Sequence, residues 1–211
     1  MTKRTWCAFG VMVALATALS TDSRAYTTNG ARWIGTPVPY VVNTANLDLP
    51  TNVIVPALQA GADTWALQSD AAFAFTFAGL SSQTTNTNDG VNLVLFRNAS
   101  SGSAIATTYS WFSGSTLIDT DIVFWDGAFK FFTGASGCSG GFYIEDIAAH
   151  EFGHALGLGH STMSTATMYP STSYCNVANR SLDADDLAGI LAIYGARPAT
   201  VQAPTGFRVV R

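Results

Sequence analysis

Residues 150–160 read HEFGHALGLGH, and this stretch holds all three histidines of the chain and one of its two glutamates. His150 and His154 are about one helical turn apart, so their side chains project from the same face of a helix. Gly157 lets the backbone leave that helix abruptly, because glycine adopts left-handed conformations without a Cβ clash, and His160 can then return to the same point. Three imidazoles that meet in this way predict one tetrahedral zinc with an open fourth position.

Glu151 follows the first histidine directly, so it is expected beside the metal without having to ligate it. Zinc lowers the pKa of a bound water towards about 7 and polarises a substrate carbonyl. Glu151 is therefore the predicted catalytic residue: it would take the proton as the water attacks and return it to the leaving amine. No histidine remains to activate a serine or thiol nucleophile, and none is needed.

Working outward from this motif, the chain contains mostly strands in its first half and helices later. Runs of β-branched, aromatic or apolar residues predict five strands, at 38–43, 73–77, 91–96, 103–109 and 118–125. Helical spacing predicts helices over 53–68, 144–156 and 183–194. The glycine- and serine-rich stretch 133–141 predicts a loop. This order predicts an α+β domain over residues 26–197, followed by a short C-terminal tail at 198–211.

Several stretches beyond the motif resemble the metzincin zinc metallopeptidases, and their matrixin branch in particular. Residues 150–160 resemble the extended zinc motif of that family, and Met168 within ATMYP resembles its Met-turn. Residues 182–190 (LDADDLAGI) resemble the final matrixin helix, and residues 121–124 (DIVF) resemble the strand before the active-site loop. The likeness extends over about residues 40–195.

The resemblance implies a metzincin fold, in which a twisted five-stranded mixed sheet packs with long helices and the active-site helix precedes the Met-turn. Met168 would form a hydrophobic base under the zinc rather than a ligand. Peptide substrate would lie antiparallel to an edge strand, assigned to residues 103–107. A set of pocket residues follows from the same likeness: Asp146, Tyr169, Pro170, Ile105 and Ala106.

Asp146 lies one helical turn before His150, and two interpretations stay open. Its carboxylate could favour basic or polar substrate side chains in the pocket. Alternatively, it stabilises the positive N-terminal end of the helix, as acidic residues in a first turn commonly do.

A single zinc is predicted, because the structural zinc common in the family that the sequence resembles is bound partly by histidine and no histidine remains here. Calcium is left open, since four aspartates lie in or beside predicted loops where solvated turn residues are common: Asp89, Asp119, Asp121 and Asp126. The segment between residue 25 and the first strand has no cysteine. We therefore expect a bacterial-type matrixin without the cysteine-bearing pro-segment that blocks the metal.

Composition limits where the protein acts. Of its 211 residues 48% are hydrophobic and 11% charged, and a formal charge of -4 leaves no basic surplus for nucleic acid. Residues 1–25 combine a positive start, an apolar run and small residues before the cleavage point, which predicts a signal peptide; a membrane anchor is the alternative. No later apolar run is long enough to span a bilayer, so we expect a secreted protein, extracellular or periplasmic.

Removal of residues 1–25 leaves two cysteines, Cys138 and Cys175. An even pair in an exported chain predicts a disulfide. Two unrelated buried thiols are the alternative.

The favoured function is a secreted zinc endopeptidase, expected to be a monomer, that cleaves proteins or peptides. An exopeptidase or processing enzyme with the same zinc is one alternative. The sequence lacks an obvious charged residue to capture a substrate terminus, which argues against it. A non-catalytic zinc-binding or adhesive domain is the other. Retention of Glu151 argues against it, because metal binding alone does not require that carboxylate.

Overall fold

The computed structural model describes residues 24–198. The predicted signal peptide and C-terminal tail lie outside these residues, apart from residues at their inner ends. Five strands form one sheet in the order β2-β1-β3-β5-β4. Their bounds are Val38–Asn43 for β1, Phe75–Leu80 for β2, Leu93–Phe96 for β3, Ala106–Ser113 for β4 and Thr116–Phe124 for β5.

The sheet is mixed, as predicted. The pairs β1–β2, β1–β3 and β3–β5 are parallel, while β4 runs antiparallel to β5 and forms one edge. The central strand β3 is a continuous apolar run, LVLF, and all four of its residues are buried. The α+β prediction with a five-stranded mixed sheet is therefore confirmed.

Three α-helices accompany the sheet: α1 (Thr51–Gln68), α2 (Ile144–Ala155) and α3 (Ala184–Tyr194). A short parallel pair, β6 (Phe131–Phe132) and β7 (Phe142–Tyr143), lies directly before α2. A 3₁₀ turn (Ala178–Arg180) precedes α3. Within residues 24–198, none of the helices is both long and apolar enough to cross a bilayer.

Helices α1 and α2 pack against each other at close range. A Cβ added to Gly61 would lie 2.5 Å from the Cβ of Ala148, so only glycine permits this approach. The fully buried Trp65 donates a hydrogen bond from its indole nitrogen to the carbonyl oxygen of Ala149, at 2.8 Å. These contacts fix α2, the helix that carries the motif, against the core of the domain.

The edge strand β4 differs from the prediction. It begins at Ala106 and continues to Ser113, whereas the sequence favoured a strand over 103–109 and a substrate-binding edge at 103–107. Ser101 and Ala104 instead close a tight turn, in which Gly102 has a φ of +72°. Because of this turn, β4 begins at Ala106, and the sheet edge beside α2 is formed by residues from Ala106 onward.

Candidate active site

Three histidine side chains meet where α2 ends. His150 and His154 lie one turn apart on the helix, and beyond its end Gly157 adopts a φ of +111°. A Cβ at Gly157 would also lie 2.6 Å from the carbonyl oxygen of Ala31, so both conformation and space require glycine. The Nε2 atom of His154 lies 3.1 Å from that of His150 and 3.2 Å from that of His160.

This arrangement fits zinc. In a tetrahedral site with Zn–N bonds of about 2.0–2.1 Å, ligand nitrogens are about 3.3 Å apart, close to the separations above. The Nδ1 atoms of His150 and His154 lie 2.7 and 2.9 Å from the backbone carbonyl oxygens of Thr167 and Leu158. A carbonyl only accepts, so each Nδ1 donates and each Nε2 keeps a free lone pair. Among residues 24–198, no other set of three or more histidine, cysteine or carboxylate side chains is gathered as a metal-binding group.

Burial prepares two of these rings for metal binding. Desolvation lowers the pKa of both His150 and His154 to about 4. Neutral imidazole is the form that ligates a metal. At neutral pH, therefore, no proton has to be displaced from these two rings.

Glu151 lies beside the histidines and is only 6% exposed. Its Oε2 atom accepts a hydrogen bond from the hydroxyl of Thr108 on β4, at 2.6 Å. Burial raises the pKa of the Glu151 carboxyl above its usual range, against the opposing effects of His154 and of the Thr108 hydrogen bond. A carboxyl with a raised pKa takes up a proton more readily than an exposed carboxyl does.

The turn around Met168 supports the first histidine. Met168 is fully buried, and its sulfur fills the space that a side chain at Gly153 would need. The backbone amides of Thr167 and Met168 donate to the Asp186 carboxylate of α3, at 2.7 and 3.1 Å. Because the carbonyl of Thr167 also accepts from His150, α3 orients this histidine through the turn.

A cavity of about 490 Å³ opens beside the histidines. It lies between β4, α2 and the segment after Met168, and Glu151 is part of its lining. Four of the predicted pocket residues line it: Ile105, Ala106, Tyr169 and Pro170. Among the described residues, its lining contains no lysine, arginine or aspartate, so Glu151 and the histidines are its only ionisable groups apart from a tyrosine.

The family model for matrixins matches residues 32–195, which is most of the chain. The chain belongs to the matrixin family. Matrixins are zinc metalloendopeptidases, and the convergence of the three histidines beside Glu151 agrees with that membership.

Curated relatives match this matrixin over short segments. It is 51% identical to human matrix metalloproteinase-20 over 65 residues, which cover 31% of this chain and 14% of the relative. It is 52% identical to human neutrophil collagenase over 60 residues, 28% of this chain and 13% of the relative. It is 48% identical to the hatching enzyme of Paracentrotus lividus over 64 residues, 30% of this chain and 11% of the relative. The matrixin thus spans only 11–14% of the length of these three proteins.

Asp146, the remaining predicted pocket residue, does not line the cavity of this matrixin. It is 2% exposed, and its carboxylate accepts hydrogen bonds from the Nε atom of Arg180 and the backbone N–H of Asn179. The hypothesis that this carboxylate meets substrate directly therefore needs correction. A buried carboxylate holds a cationic partner, because an unpaired buried charge is strongly destabilising.

Cys138 and Cys175 form the predicted disulfide. The bond joins the loop after β6 to the segment between Met168 and the 3₁₀ turn. The backbone N–H of Cys175 also donates to the carbonyl oxygen of Gly141, at 2.9 Å. The composition of the chain predicted the pairing, but not that one end of the bridge lies in the segment that borders the cavity.

The aspartates considered for calcium bind backbone amides. Asp119 accepts from Asp89 at 2.8 Å, Asp121 accepts from Leu93 at 2.9 Å, and Asp126 accepts from Leu47 at 2.5 Å. The bonds from Asp89 and Leu47 tether the loops before β3 and after β1, while one oxygen of Asp119 and one of Asp126 is buried without a hydrogen-bond partner among the described residues.

Sequence reasoning missed several residues of the site. Thr108 and Asn179 line the cavity, and Arg180 lies directly behind its wall. None of them belongs to a spaced motif, and their positions depend on strand pairing and on a segment without periodicity. The available signal was weak: Arg180 is one of ten lysine and arginine residues in a chain of 211.

Proposed function

We propose that this matrixin is a secreted, zinc-dependent endopeptidase in which Glu151 is the general base and then the general acid. The observation that carries the proposal is the meeting of three imidazole side chains with one buried carboxylate at the wall of the same open cavity. His150, His154 and His160 would hold one zinc. When bound, zinc would supply Lewis acidity, which polarises a peptide carbonyl and makes water easier to deprotonate.

The protein's own contribution is the placement of the proton acceptor. Glu151 would accept the proton of the attacking water and pass it to the leaving amine. The hydroxyl of Thr108 donates a hydrogen bond to Oε2 of Glu151, which holds the carboxylate in one orientation. The Oε1 atom is then left to exchange the proton. Burial raises the pKa of Glu151, which makes it a stronger base than an exposed carboxylate.

Substrate binding is proposed along β4. As the edge strand of the sheet, β4 pairs with β5 on one side only, so the other side has free backbone donors and acceptors. An extended peptide that adds to this edge would pass between β4 and α2, beside Glu151. We propose proteins and peptides as substrates, antiparallel pairing along residues 106–113, and a monomeric enzyme.

Secretion is part of the proposal. The Cys138–Cys175 disulfide supports it, because disulfides persist mainly in oxidising compartments. The predicted signal peptide at residues 1–25 gives the route. Expression of the full chain, followed by N-terminal sequencing of the exported protein, tests this point. Recovery of uncleaved protein from the cytoplasm with free thiols would contradict it.

The activity is tested with the exported protein, casein and peptides blocked at both termini. We expect internal cleavage that a chelator abolishes, that zinc restores, and that Glu151→Ala lacks while it still binds zinc. Cleavage restricted to free peptide ends would favour an exopeptidase. Zinc binding without cleavage of any substrate would favour a non-catalytic binding domain, and full activity of Glu151→Ala would refute the proposed role of that residue.

A further inference from the structure

His160 differs from the other two histidines in how its side chain is held. The Nδ1 atoms of His150 and His154 lie within hydrogen-bond distance of the carbonyl oxygens of Thr167 and Leu158, at 2.7 and 2.9 Å. Within residues 24–198, the ring of His160 has no such carbonyl acceptor, and the side chain is exposed. The direction of this ring therefore depends on the backbone that carries it.

The backbone at His160 pairs with an N-terminal segment, defined as residues 27–31. The hydroxyl of Thr27 donates a hydrogen bond to the carbonyl oxygen of His160, at 2.9 Å. The backbone carbonyl of the same threonine accepts from the backbone N–H of Gly159, at 2.8 Å. Thr27 thus bonds the backbone on both sides of the His160 α-carbon.

Neighbouring contacts continue this pairing back to the end of α2. The backbone N–H of Asn29 donates to the carbonyl oxygen of Gly157, at 3.0 Å. The indole N–H of Trp33 donates to the carbonyl oxygen of Ala155, at 2.9 Å. The last carbonyls of a helix have no partner within the helix, so donors from another segment fix where the chain goes next. The N-terminal segment therefore guides the chain from α2 to His160.

Gly159 leaves room for the hydroxyl of Thr27. A Cβ built at Gly159 would lie 2.3 Å from that hydroxyl oxygen, which is well inside van der Waals contact. The φ of Gly159 is outside the left-handed region, so an alanine there is opposed by this contact rather than by the backbone conformation. An alanine at position 159 would thus displace the hydroxyl from the carbonyl oxygen of His160.

We propose that Thr27 is a positioning residue of the zinc site: through the carbonyl of His160, its hydroxyl directs the third imidazole towards the other two. This inference rests on the proposed zinc-dependent function. It is supported by the bonds on both sides of His160 and by the lack of a carbonyl acceptor for the ring of His160 within residues 24–198. The N-terminal segment is then part of the active site, although 133 positions separate Thr27 from His160.

Loss of the hydroxyl should weaken zinc binding without abolishing it, because His150 and His154 keep their own carbonyl contacts. We expect Thr27→Val to raise the Kd for zinc about three- to tenfold, the range that corresponds to one neutral hydrogen bond. Thr27→Ser keeps a hydroxyl and should bind zinc as the wild type does.

Thr28→Val is the matched control. It is the same substitution at the next residue, whose hydroxyl makes no hydrogen bond to residues 24–198, and it should leave the Kd unchanged.

Gly159→Ala displaces the same hydroxyl by an independent route, so it should raise the Kd for zinc by a similar factor. Thr27→Ala removes the hydroxyl and also the atom that an alanine at position 159 would meet. The double variant Thr27→Ala/Gly159→Ala should therefore bind zinc no more weakly than Thr27→Ala alone, because one hydrogen bond is lost only once. Additive losses would show that Gly159 acts independently of this hydroxyl and would count against the inference.

The exported protein is used for each variant, and competition with a chromophoric chelator at neutral pH measures the Kd for zinc. Urea unfolding of the metal-free proteins measures their stability without zinc, which should be similar for Thr27→Val and Thr28→Val. The alanine variants keep the inference testable should Thr27→Val fold poorly.

An unchanged Kd in Thr27→Val would overturn the inference and leave the proposed function intact. A rise in Kd that is matched by an equal loss of metal-free stability would assign Thr27 a purely structural role and would also overturn it. A wild-type protein that binds no zinc would instead refute the proposed function, and this inference with it.

Discussion

The proposed metal centre and the cavity wall beside it are built in opposite ways. The three histidines and Glu151 lie within residues 150–160, on one helix and the turn that follows it. The wall depends on partners far apart in the chain: the disulfide joins residues 37 positions apart, and the Asp146–Arg180 pair joins residues 34 apart. The spacing of the three histidines depends on this helix and turn, while contacts from Thr167 and Thr108 orient His150 and Glu151. We therefore expect changes at the centre to abolish chemistry, and changes at the wall to alter selectivity and stability.

The largest expected effect is the loss of a metal ligand. His154→Ala leaves two imidazoles, too few to hold a catalytic zinc, so proteolysis and stoichiometric zinc should both disappear. The Cys138–Cys175 bridge should still form, since it lies in the other region. Zinc analysis of the purified protein and a thiol assay measure both properties. Full zinc occupancy in this variant would mean that the local centre is not the metal site.

Next in size is the loss of the proton acceptor. Glu151→Gln keeps the size of the side chain but removes its basicity, so kcat should fall by about 10²–10⁴. Zinc content should stay at the wild-type level, because this residue is not proposed as a ligand. Kinetics with an internally quenched peptide and zinc analysis on the same sample check the prediction. An unchanged kcat with full zinc would remove Glu151 from the mechanism.

A smaller effect is expected at Thr108, which reaches the local centre from β4. Thr108→Val removes the hydroxyl at nearly constant volume, so Glu151 loses its orienting hydrogen bond. We expect kcat to fall by about tenfold, the usual worth of a hydrogen bond to a charged group, with little change in KM.

Thr108→Ser is the matched control for that variant, because it keeps the hydroxyl and should keep most of kcat. Equal losses in the serine and valine variants would indicate a packing role for Thr108. Steady-state kinetics on both variants, with zinc content measured in parallel, distinguish the two roles.

Removal of the disulfide should affect the wall far more than the chemistry. The double variant Cys138→Ala/Cys175→Ala should lose about 2–4 kcal/mol of unfolding free energy, while zinc content and kcat change little. Urea unfolding of the wild-type and variant proteins measures the difference. A variant with wild-type stability but no zinc would show that the two regions are not independent.

A further effect concerns the pH dependence of stability in the metal-free protein, where it leaves the catalysis of the zinc-loaded enzyme untouched. Burial lowers the folded-state pKa of His150 and His154 to about 4, below the unfolded value of 6.5, so the unfolded state binds more protons between these values. Stability of the metal-free protein should therefore fall as the pH decreases from about 6.5 towards 4. Urea unfolding at several pH values measures this, with pH 7–8 as the reference range. A stability that rises as the pH falls through this window would contradict burial of the neutral rings.

Much of the fold could be predicted because its signals are short-range. Strand β1 was predicted with its observed bounds, and α2 within one residue, since an apolar run or a helical spacing with glycine at its end is visible in the sequence itself. Strand β4 was placed three residues too early. The turn that contains Gly102 precedes β4 and has no distinctive sequence. Only the pairing of β4 with β5 defines where β4 begins.

The candidate site divides in the same way. The gathering of His150 and His154 could be predicted from spacing alone, because an α-helix converts a separation of four residues into one shared face. Thr108 reaches Glu151 only through the register of β4, and Arg180 reaches Asp146 only because the segment after Met168 folds back onto α2.

The sequence by itself determined the α+β class and the spacing that gathers three histidines beside the carboxylate proposed to be catalytic, because these signals come from residues that are near one another along the chain. Only the tertiary structure decided that Asp146 is buried against Arg180 and absent from the cavity lining, that Thr108 hydrogen-bonds Glu151, and that the disulfide ties down the segment bordering the cavity. Buried charges and hydrogen bonds acquire their partners from whichever segment packs against them, and that choice is made by the folding of the whole domain.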